Sequence, residues 1–183
     1  MPVEIERRFL IRGSGPSDWL VPFRDEHIVQ TYLGMPPGSR PGSTERVRVS
    51  IPTDGGSVLY THTTKNPLPP QATAGLTGGN QEAEREIVPG TYRRLLRRAD
   101  ITCVPVCKVR RTFTWPPTPE EGTQRVFELD TYGDPFKGLV VLEVELPSFE
   151  APLVLPPFLD LECEVTGDKK YSNYGLTKAG RVP

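Results

Sequence analysis

The sequence predicts a mainly β protein with some α+β character, on three observations. Eight stretches alternate polar and apolar residues with a period of two, the pattern of half-buried strands. The 17 glycines and 21 prolines among 183 residues suit short strands joined by turns. Only residues 90–100 and 148–160 have helical features, and prolines limit the second segment to short turns. We therefore expect a single domain over residues 1–183.

The eight alternating stretches follow one another along the chain. They are Val3–Ile11, Ile28–Gly34, Thr44–Ile51, Ser57–Lys65, Gln81–Val88, Val104–Trp115, Arg125–Tyr132 and Leu139–Leu146. Turn-forming residues separate them, and Asp54-Gly55-Gly56 between two stretches is typical of a hairpin. Residues 66–80 are rich in proline and glycine and nearly uncharged, which predicts a mobile surface loop at the mouth of a site.

Composition excludes several classes of protein. With 22 basic and 23 acidic residues, the net charge of -1 lacks the overall basic excess expected of a nucleic-acid-binding protein. No apolar run is long enough for a membrane span, and no signal peptide is expected, so the sequence predicts a cytoplasmic protein. The three cysteines are expected to be reduced and mostly buried. Neither a P-loop nor a Rossmann glycine motif occurs.

Charges of one sign repeat at alternate positions of several strands. The acidic pairs are Glu4 and Glu6, Glu82 and Glu84, Glu128 and Asp130, and Glu143 and Glu145, and the basic pairs are Arg46 and Arg48, and Lys108 and Arg110. One such pair is typical of a solvated sheet face, but like charges on so many strands need neutralisation between strands. A barrel with these faces turned inward would hold divalent cations on carboxylates and phosphates on basic residues. The pattern predicts metal-assisted phosphoryl or nucleotidyl transfer.

These motifs, in this order, resemble those of the CYTH superfamily, the triphosphate tunnel metalloenzymes. The family includes class IV adenylate cyclases, thiamine triphosphatases and bacterial inorganic triphosphatases. The resemblance is carried by Glu4-Ile5-Glu6-Arg7-Arg8, Gln30-Thr31-Tyr32-Leu33, Arg46-Val47-Arg48, Thr64-Lys65, Glu82-Ala83-Glu84, Lys108-Val109-Arg110, Glu128-Leu129-Asp130, Glu143-Val144-Glu145 and residues 164–173. One departure is Arg8, which stands where the family has a lysine.

The resemblance implies an eight-stranded antiparallel β-barrel with a few flanking helices and a lumen that binds a triphosphate. The phosphate-binding residues it implies are Arg8, Arg46, Arg48, Lys65, Lys108, Arg110 and Lys169. The implied ligands of Mg²⁺ or Mn²⁺ are Glu4, Glu6, Glu82, Glu84, Glu128, Asp130, Glu143 and Glu145. The implied catalytic residues are Glu4, Glu6, Arg8 and Tyr32.

The function expected from this resemblance is metal-dependent hydrolysis of a triphosphate, with inorganic tripolyphosphate as the favoured substrate. Three alternatives remain open: an adenylate cyclase on the same scaffold, a thiamine triphosphatase, and a triphosphate- or polyphosphate-binding protein without turnover. The last is motivated by Arg8, whose planar guanidinium places its donors differently from a lysine ammonium. The expected partner is a small-molecule triphosphate or polyphosphate, with no nucleic acid and no membrane. The sequence leaves open whether the chain forms a homodimer.

Overall fold

The computed structural model describes residues 5–13, 24–67, 80–116, 124–148 and 150–183. Nine strands and two α-helices lie in these ranges. They are β1 Ile5–Ile11, β2 Arg24–Tyr32, β3 Thr44–Pro52, β4 Leu59–Pro67, β5 Asn80–Glu86, α1 Pro89–Leu96, β6 Val106–Trp115, β7 Arg125–Tyr132, β8 Val140–Leu146, β9 Leu161–Glu164 and α2 Asn173–Ala179. A 3-10 turn, Lys169–Tyr171, precedes α2. The prediction of a mainly β fold is confirmed.

All nine strands belong to one antiparallel sheet with the order β5-β4-β3-β2-β6-β7-β8-β1-β9. The sheet is curled, because Arg8 on β1 and Glu82 on β5 line one cavity although six strands lie between theirs. In the described ranges β5 and β9 form the two edges and do not pair with each other. The expected barrel is thus a barrel-like curl with a short ninth strand added beside β1.

Some element boundaries differ from the sequence prediction. β2 begins at Arg24, whereas the predicted strand began at Ile28. The first residues of β2 are mostly charged and lack the alternating pattern, so the prediction left them out. No helix forms in the described residues 150–160, where the prolines interrupt it. Helix α2 was not predicted, since its seven residues are too few to show a helical period. Most of the predicted mobile loop, residues 68–79, lies outside the described residues.

The main apolar core lies on the outer, convex face of the sheet. Its buried members are Phe9, Ile11, Phe113, Phe127, Leu129, Val140, Leu142, Val144, Leu146 and Leu159. Leu153, Leu155 and Phe158 from the segment before β9 cover this face. Because the apolar residues are buried on the outer face of the sheet, the inner face of the same strands carries polar side chains.

A second apolar cluster closes one end of the inner face. It contains Val106, Tyr132, Phe136, Leu139, Val141 and, from α2, Leu176. A Cβ atom at Gly175 would lie 1.9 Å from the carbonyl oxygen of Lys169, so only glycine allows α2 to pack this closely on the preceding turn. The rings of Tyr174 and Tyr32 also meet edge to face, with centroids 5.0 Å apart. These contacts fix the beginning of α2 against the sheet.

The three cysteines are free thiols, as predicted. Their predicted burial is wrong for Cys107 and Cys163, which are exposed. Among the described residues, no helix is long and apolar enough to span a membrane.

Candidate functional site

Charged side chains on the inner face of the curled sheet line a cavity of about 600 Å³. Directly paired residues of antiparallel strands share a face, so the strand register places these charges side by side. The charged lining residues are Glu6, Arg8, Arg46, Arg48, Lys65, Glu82, Glu84, Arg110, Glu128, Glu143 and Glu145. Each of them is a site residue predicted from the sequence.

Arg110 on β6 lies at the centre of a cluster of carboxylates. Its Nε and Nη2 atoms donate to the two oxygens of Asp130 at 2.7 and 2.6 Å. Nη2 also donates to Glu143 at 2.7 Å, and Nη1 contacts Glu128. Burial acts to lower the pKa of Arg110, but the charges of Asp130, Glu143 and Glu128 outweigh it and raise the pKa well above its ordinary value. Arg110 is therefore a cation whose donors are already occupied.

Lys108 and Asp130 form an ion pair in the wall behind the cavity. Both side chains are 0% exposed, and the Lys108 Nζ lies 5.4 Å from the centroid of the Tyr132 ring. Burial and the charge of Arg110 lower the pKa of Lys108, against the effect of Asp130. Neither residue lines the cavity. Their implied roles in phosphate and metal binding stay predictions.

Arg8 on β1 joins two acidic residues at the edge of this cluster. Its Nε and Nη2 donate to the carboxylate of Glu6 at 3.0 and 2.8 Å, and Nε lies 3.1 Å from Glu143 Oε1. Burial acts to lower the pKa of Arg8, but the charges of Glu143 and Glu6 outweigh it and raise the pKa above its ordinary value. The planar guanidinium thus binds both carboxylates at once, in a bidentate arrangement that an ammonium cannot make.

Arg46 and Lys65 occupy the other side of the cavity, on β3 and β4. Glu82 on β5 accepts from Arg46 Nη2 at 3.2 Å and forms an ion pair with Lys65. Glu84 lies 3.9 Å from the same Arg46 nitrogen and accepts a hydrogen bond from Thr63 at 2.7 Å. The two contacts of Arg46 are longer than those of Arg110, and the carboxylate of Glu82 serves two cations.

Arg48 differs from the other cations of the cavity. Among the described residues no group forms a hydrogen bond or ion pair with its guanidinium, and its Nε is buried without a partner. Burial lowers the pKa of Arg48, and the charges of Arg46 and Arg110 act in the same direction. Gln30 and Thr61 flank it across β2 and β4, and their buried side-chain polar atoms also lack partners. An unpaired buried donor costs free energy until an acceptor arrives, so Arg48 is suited to receive an anion.

Two further predicted site residues are absent from the cavity lining, and a third falls outside the described residues. Tyr32 is buried at 5% exposure beside the cavity rather than in its lining, and burial raises its pKa against the opposing effect of Arg46. Lys169 is exposed on the 3-10 turn and does not line the cavity. Glu4 lies outside the described residues. The roles implied for Tyr32, Lys169 and Glu4 stay predictions.

Comparisons with known proteins bear on the family resemblance through structure alone. No protein-family model and no curated protein sequence matches the chain. The fold is similar to that of the inorganic triphosphatase NE1496, with 27% sequence identity and a TM-score of 0.60 over 97% of this chain and 96% of that one. This match extends over both chains almost entirely and agrees with the order of the sequence motifs. The comparison supports the resemblance to the CYTH superfamily.

Two other solved structures share the fold of this chain at lower identity. The PH1819 protein from Pyrococcus horikoshii OT3 is 18% identical, with a TM-score of 0.53 over 81% of this chain and 82% of that one. HpAC1 from Hippeastrum, described as having a dominant triphosphatase activity, is 16% identical, with a TM-score of 0.53 over 79% of this chain and 80% of that one. At these identities the two comparisons support the fold alone.

The sequence prediction assigned no site role to Asn173, which lines the cavity, or to Tyr132, its hydrogen-bond partner. Asn173, the first residue of α2, lines the cavity. The hydroxyl of Tyr132 donates to its Oδ1 at 2.7 Å. Tyr132 follows the alternation that places Glu128 and Asp130 on the inner face, so the strand period could have found it. No local pattern could have brought Asn173 to β7, since 41 residues separate the two.

The carboxylates of the cavity suit a hard divalent cation in their chemistry. Within the described residues no three histidine, cysteine, aspartate or glutamate side chains converge as a metal site. The carboxylates of Glu6 and Glu143, however, converge on one atom, the Nε of Arg8, at 3.0 and 3.1 Å. Two carboxylates this close repel unless a proton or a cation lies between them. Their oxygens therefore fit the ligand preference of Mg²⁺ or Mn²⁺, once Arg8 releases them.

Proposed function

We propose that this protein hydrolyses a triphosphate, with inorganic tripolyphosphate as its substrate and pyrophosphate and phosphate as products. The observation that carries the proposal is Arg48, a cation on the cavity wall with no partner among the described residues. A half-buried cation without a carboxylate is a ready site for a phosphate oxygen. The full-length likeness to an inorganic triphosphatase supports the same substrate class.

The basic residues of the cavity would hold the phosphate chain. Arg48 would bind first, because it has no ion pair to break. Arg46 and Lys65 would turn to the substrate by leaving Glu82, which they share. Arg110 is bound by three carboxylates, so its main contribution would be to hold those carboxylates in place.

We further propose that the activity depends on Mg²⁺ or Mn²⁺. Glu6, Glu143 and the neighbouring Glu145 and Glu128 would hold the ion, and Glu82, Glu84, Asp130 and Glu4 are the remaining candidates from the family pattern. A bound divalent cation would polarise phosphate oxygens and increase the acidity of a water molecule. Burial raises the pKa of Glu128, against the effect of Arg110.

A second candidate is a protein that binds triphosphate without turnover. The observation that favours it is the bidentate pairing of Arg8 with Glu6 and its contact with Glu143. If Arg8 keeps both carboxylates, they are not free to act on metal or water. An Arg8→Lys variant separates the two candidates, since increased turnover at unchanged affinity would show that the arginine holds the activity back.

The experiment that tests the proposal is phosphate release from tripolyphosphate by metal-stripped protein, with Mg²⁺ or Mn²⁺ added back. We expect metal-dependent release that is lost in Glu6→Gln and kept in Glu162→Gln, an exposed residue of β9 outside the cavity. ATP and thiamine triphosphate run in parallel identify the other substrates, and cyclic AMP with pyrophosphate from ATP would instead show a cyclase. Absence of any release from all three compounds would refute hydrolysis. The cytoplasmic location stays a prediction.

A further inference from the structure

We infer that Asn173 is a substrate-binding residue that donates a hydrogen bond from its side-chain amide to a phosphate oxygen at the α2 end of the cavity. This inference rests on the proposed function and adds a neutral donor to a site whose other phosphate-binding candidates are all cations. It also makes Asn173 the phosphate-binding residue of the C-terminal segment, whereas the family pattern implies Lys169.

The orientation of the Asn173 amide follows from its partner. Tyr132 is buried at 3% exposure. Its hydroxyl donates a hydrogen bond to Asn173 Oδ1 at 2.7 Å. Because an amide carries its oxygen and its nitrogen on opposite sides, the NH₂ group points away from Tyr132.

The NH₂ group of Asn173 has no acceptor within the described part of the chain. Asn173 lines the cavity at 9% exposure, and none of the hydrogen bonds of the described residues involves its amide nitrogen. The nitrogen is not sealed in the interior either, since the buried side-chain atoms that lack partners do not include it. Two N–H donors thus face a polar cavity and await an acceptor.

The position of Asn173 is fixed by packing. Ser172 caps α2 by accepting from the backbone N–H of Gly175 at 3.0 Å, and Leu176 one turn further on is fully buried. Gly175 allows the close approach of α2 to the turn before it. A donor held from three directions loses little conformational freedom on binding, which favours affinity.

The test is a calorimetric titration of tripolyphosphate into the full chain, wild type and Asn173→Asp. Aspartate keeps the acceptor for the Tyr132 hydroxyl but replaces the NH₂ donors by a carboxylate oxygen. We expect the dissociation constant to rise by about tenfold or more, from the lost hydrogen bond to a charged group and the added repulsion. The matched control is Asn66→Asp, the same chemical change outside the cavity, where Oδ1 likewise accepts from a hydroxyl, Ser43 Oγ at 2.8 Å. Its affinity should stay within about twofold of wild type.

A second variant, Tyr132→Phe, keeps the ring and removes the hydroxyl that orients the amide. As a positioning residue Tyr132 should affect KM for tripolyphosphate by a few-fold with kcat nearly unchanged, whereas a purely structural role would change the melting temperature alone. This variant also provides the test if Asn173→Asp does not fold.

The outcomes separate the inference from the proposed function. Wild-type binding that Asn173→Asp weakens and Asn66→Asp does not would support the inference. Equal affinities of wild type and Asn173→Asp, or a Tyr132→Phe variant with unchanged KM, would overturn it and leave the proposed function intact. A wild-type chain that binds neither tripolyphosphate, ATP nor thiamine triphosphate would overturn the proposed function, and the inference with it.

Discussion

Arg48 and Arg110 lie on the same inner face of one sheet, on β3 and β6, yet their surroundings are opposite. Arg110 contacts three carboxylates, and its pKa is raised. Arg48 has no described carboxylate within ion-pair distance, and burial lowers its pKa. The difference teaches that a count of charges in a cavity does not identify its ligand-binding residues. A cation that is already neutralised supports the fold, and an unpaired one is available to a ligand.

The largest effect we predict is on stability, from Arg110→Met. Removal of this guanidinium leaves Asp130, Glu143 and Glu128 buried or half-buried without their shared cation, and an uncompensated buried charge is costly. We expect the free energy of unfolding to fall by roughly 3–5 kcal/mol, measured by urea denaturation. The control Arg48→Met should change it by less than about 1 kcal/mol, since no ion pair is broken. An Arg110→Met variant as stable as wild type would contradict the claim that Arg110 supports the fold and Arg48 does not.

Acid should destabilise the protein through the same cluster. Burial acts to raise the pKa of Glu143, but the charges of Arg8, Lys108 and Arg110 outweigh it. They lower this pKa below its ordinary value of 4.5. The folded state therefore binds fewer protons than the unfolded state, so this stabilisation is present above about pH 4.5 and is lost as the pH falls further. Glu143→Gln should be less stable at pH 7, with a flatter dependence on pH below 4.5. A variant whose pH dependence parallels wild type would contradict this assignment.

Substitutions beside Arg48 should raise the free energy of unfolding, in contrast to substitutions in the Arg110 cluster. Gln30 and Thr61 are buried with unpartnered polar atoms beside Arg48. Their near-isosteric replacements, Gln30→Met and Thr61→Val, remove unsatisfied groups and should raise the free energy of unfolding by about 1 kcal/mol each in the ligand-free protein. Thermal denaturation without phosphate measures this. Clear destabilisation by both variants would show that these groups have partners in solution.

Glu82→Gln should leave more of the charge of Arg46 and Lys65 available to a phosphate. Glu82 neutralises both cations, so its removal should tighten the binding of tripolyphosphate without metal by about fivefold, as expected for partly exposed ion pairs. Calorimetry in a chelating buffer gives the affinity. Weaker binding by this variant would mean that Glu82 organises the cations rather than competing with the ligand.

The sequence predicted the strands, and with them the inner face, because a period of two determines which residues share a side. Every charged residue that lines the cavity was recognised from this period and from the family motifs. It could not show which cations are paired, since the partners of Arg110 come from β7 and β8 and depend on strand order and register. It also could not place Asn173 or exclude Lys169 from the lining, because both depend on how a short helix and turn pack against the sheet.

The measurement that tests the central claim most directly is the affinity of the metal-free chain for tripolyphosphate in wild type, Arg48→Met and Arg7→Met. Arg7 carries the same charge on the opposite face of β1, paired with Glu164 at 2.7 Å, so its variant matches the change in net charge. We predict that Arg48→Met weakens binding by about tenfold or more, at least about 1.4 kcal/mol, while Arg7→Met stays near wild type. Equal affinities of the three proteins would contradict the claim that the unpaired arginine receives the phosphate.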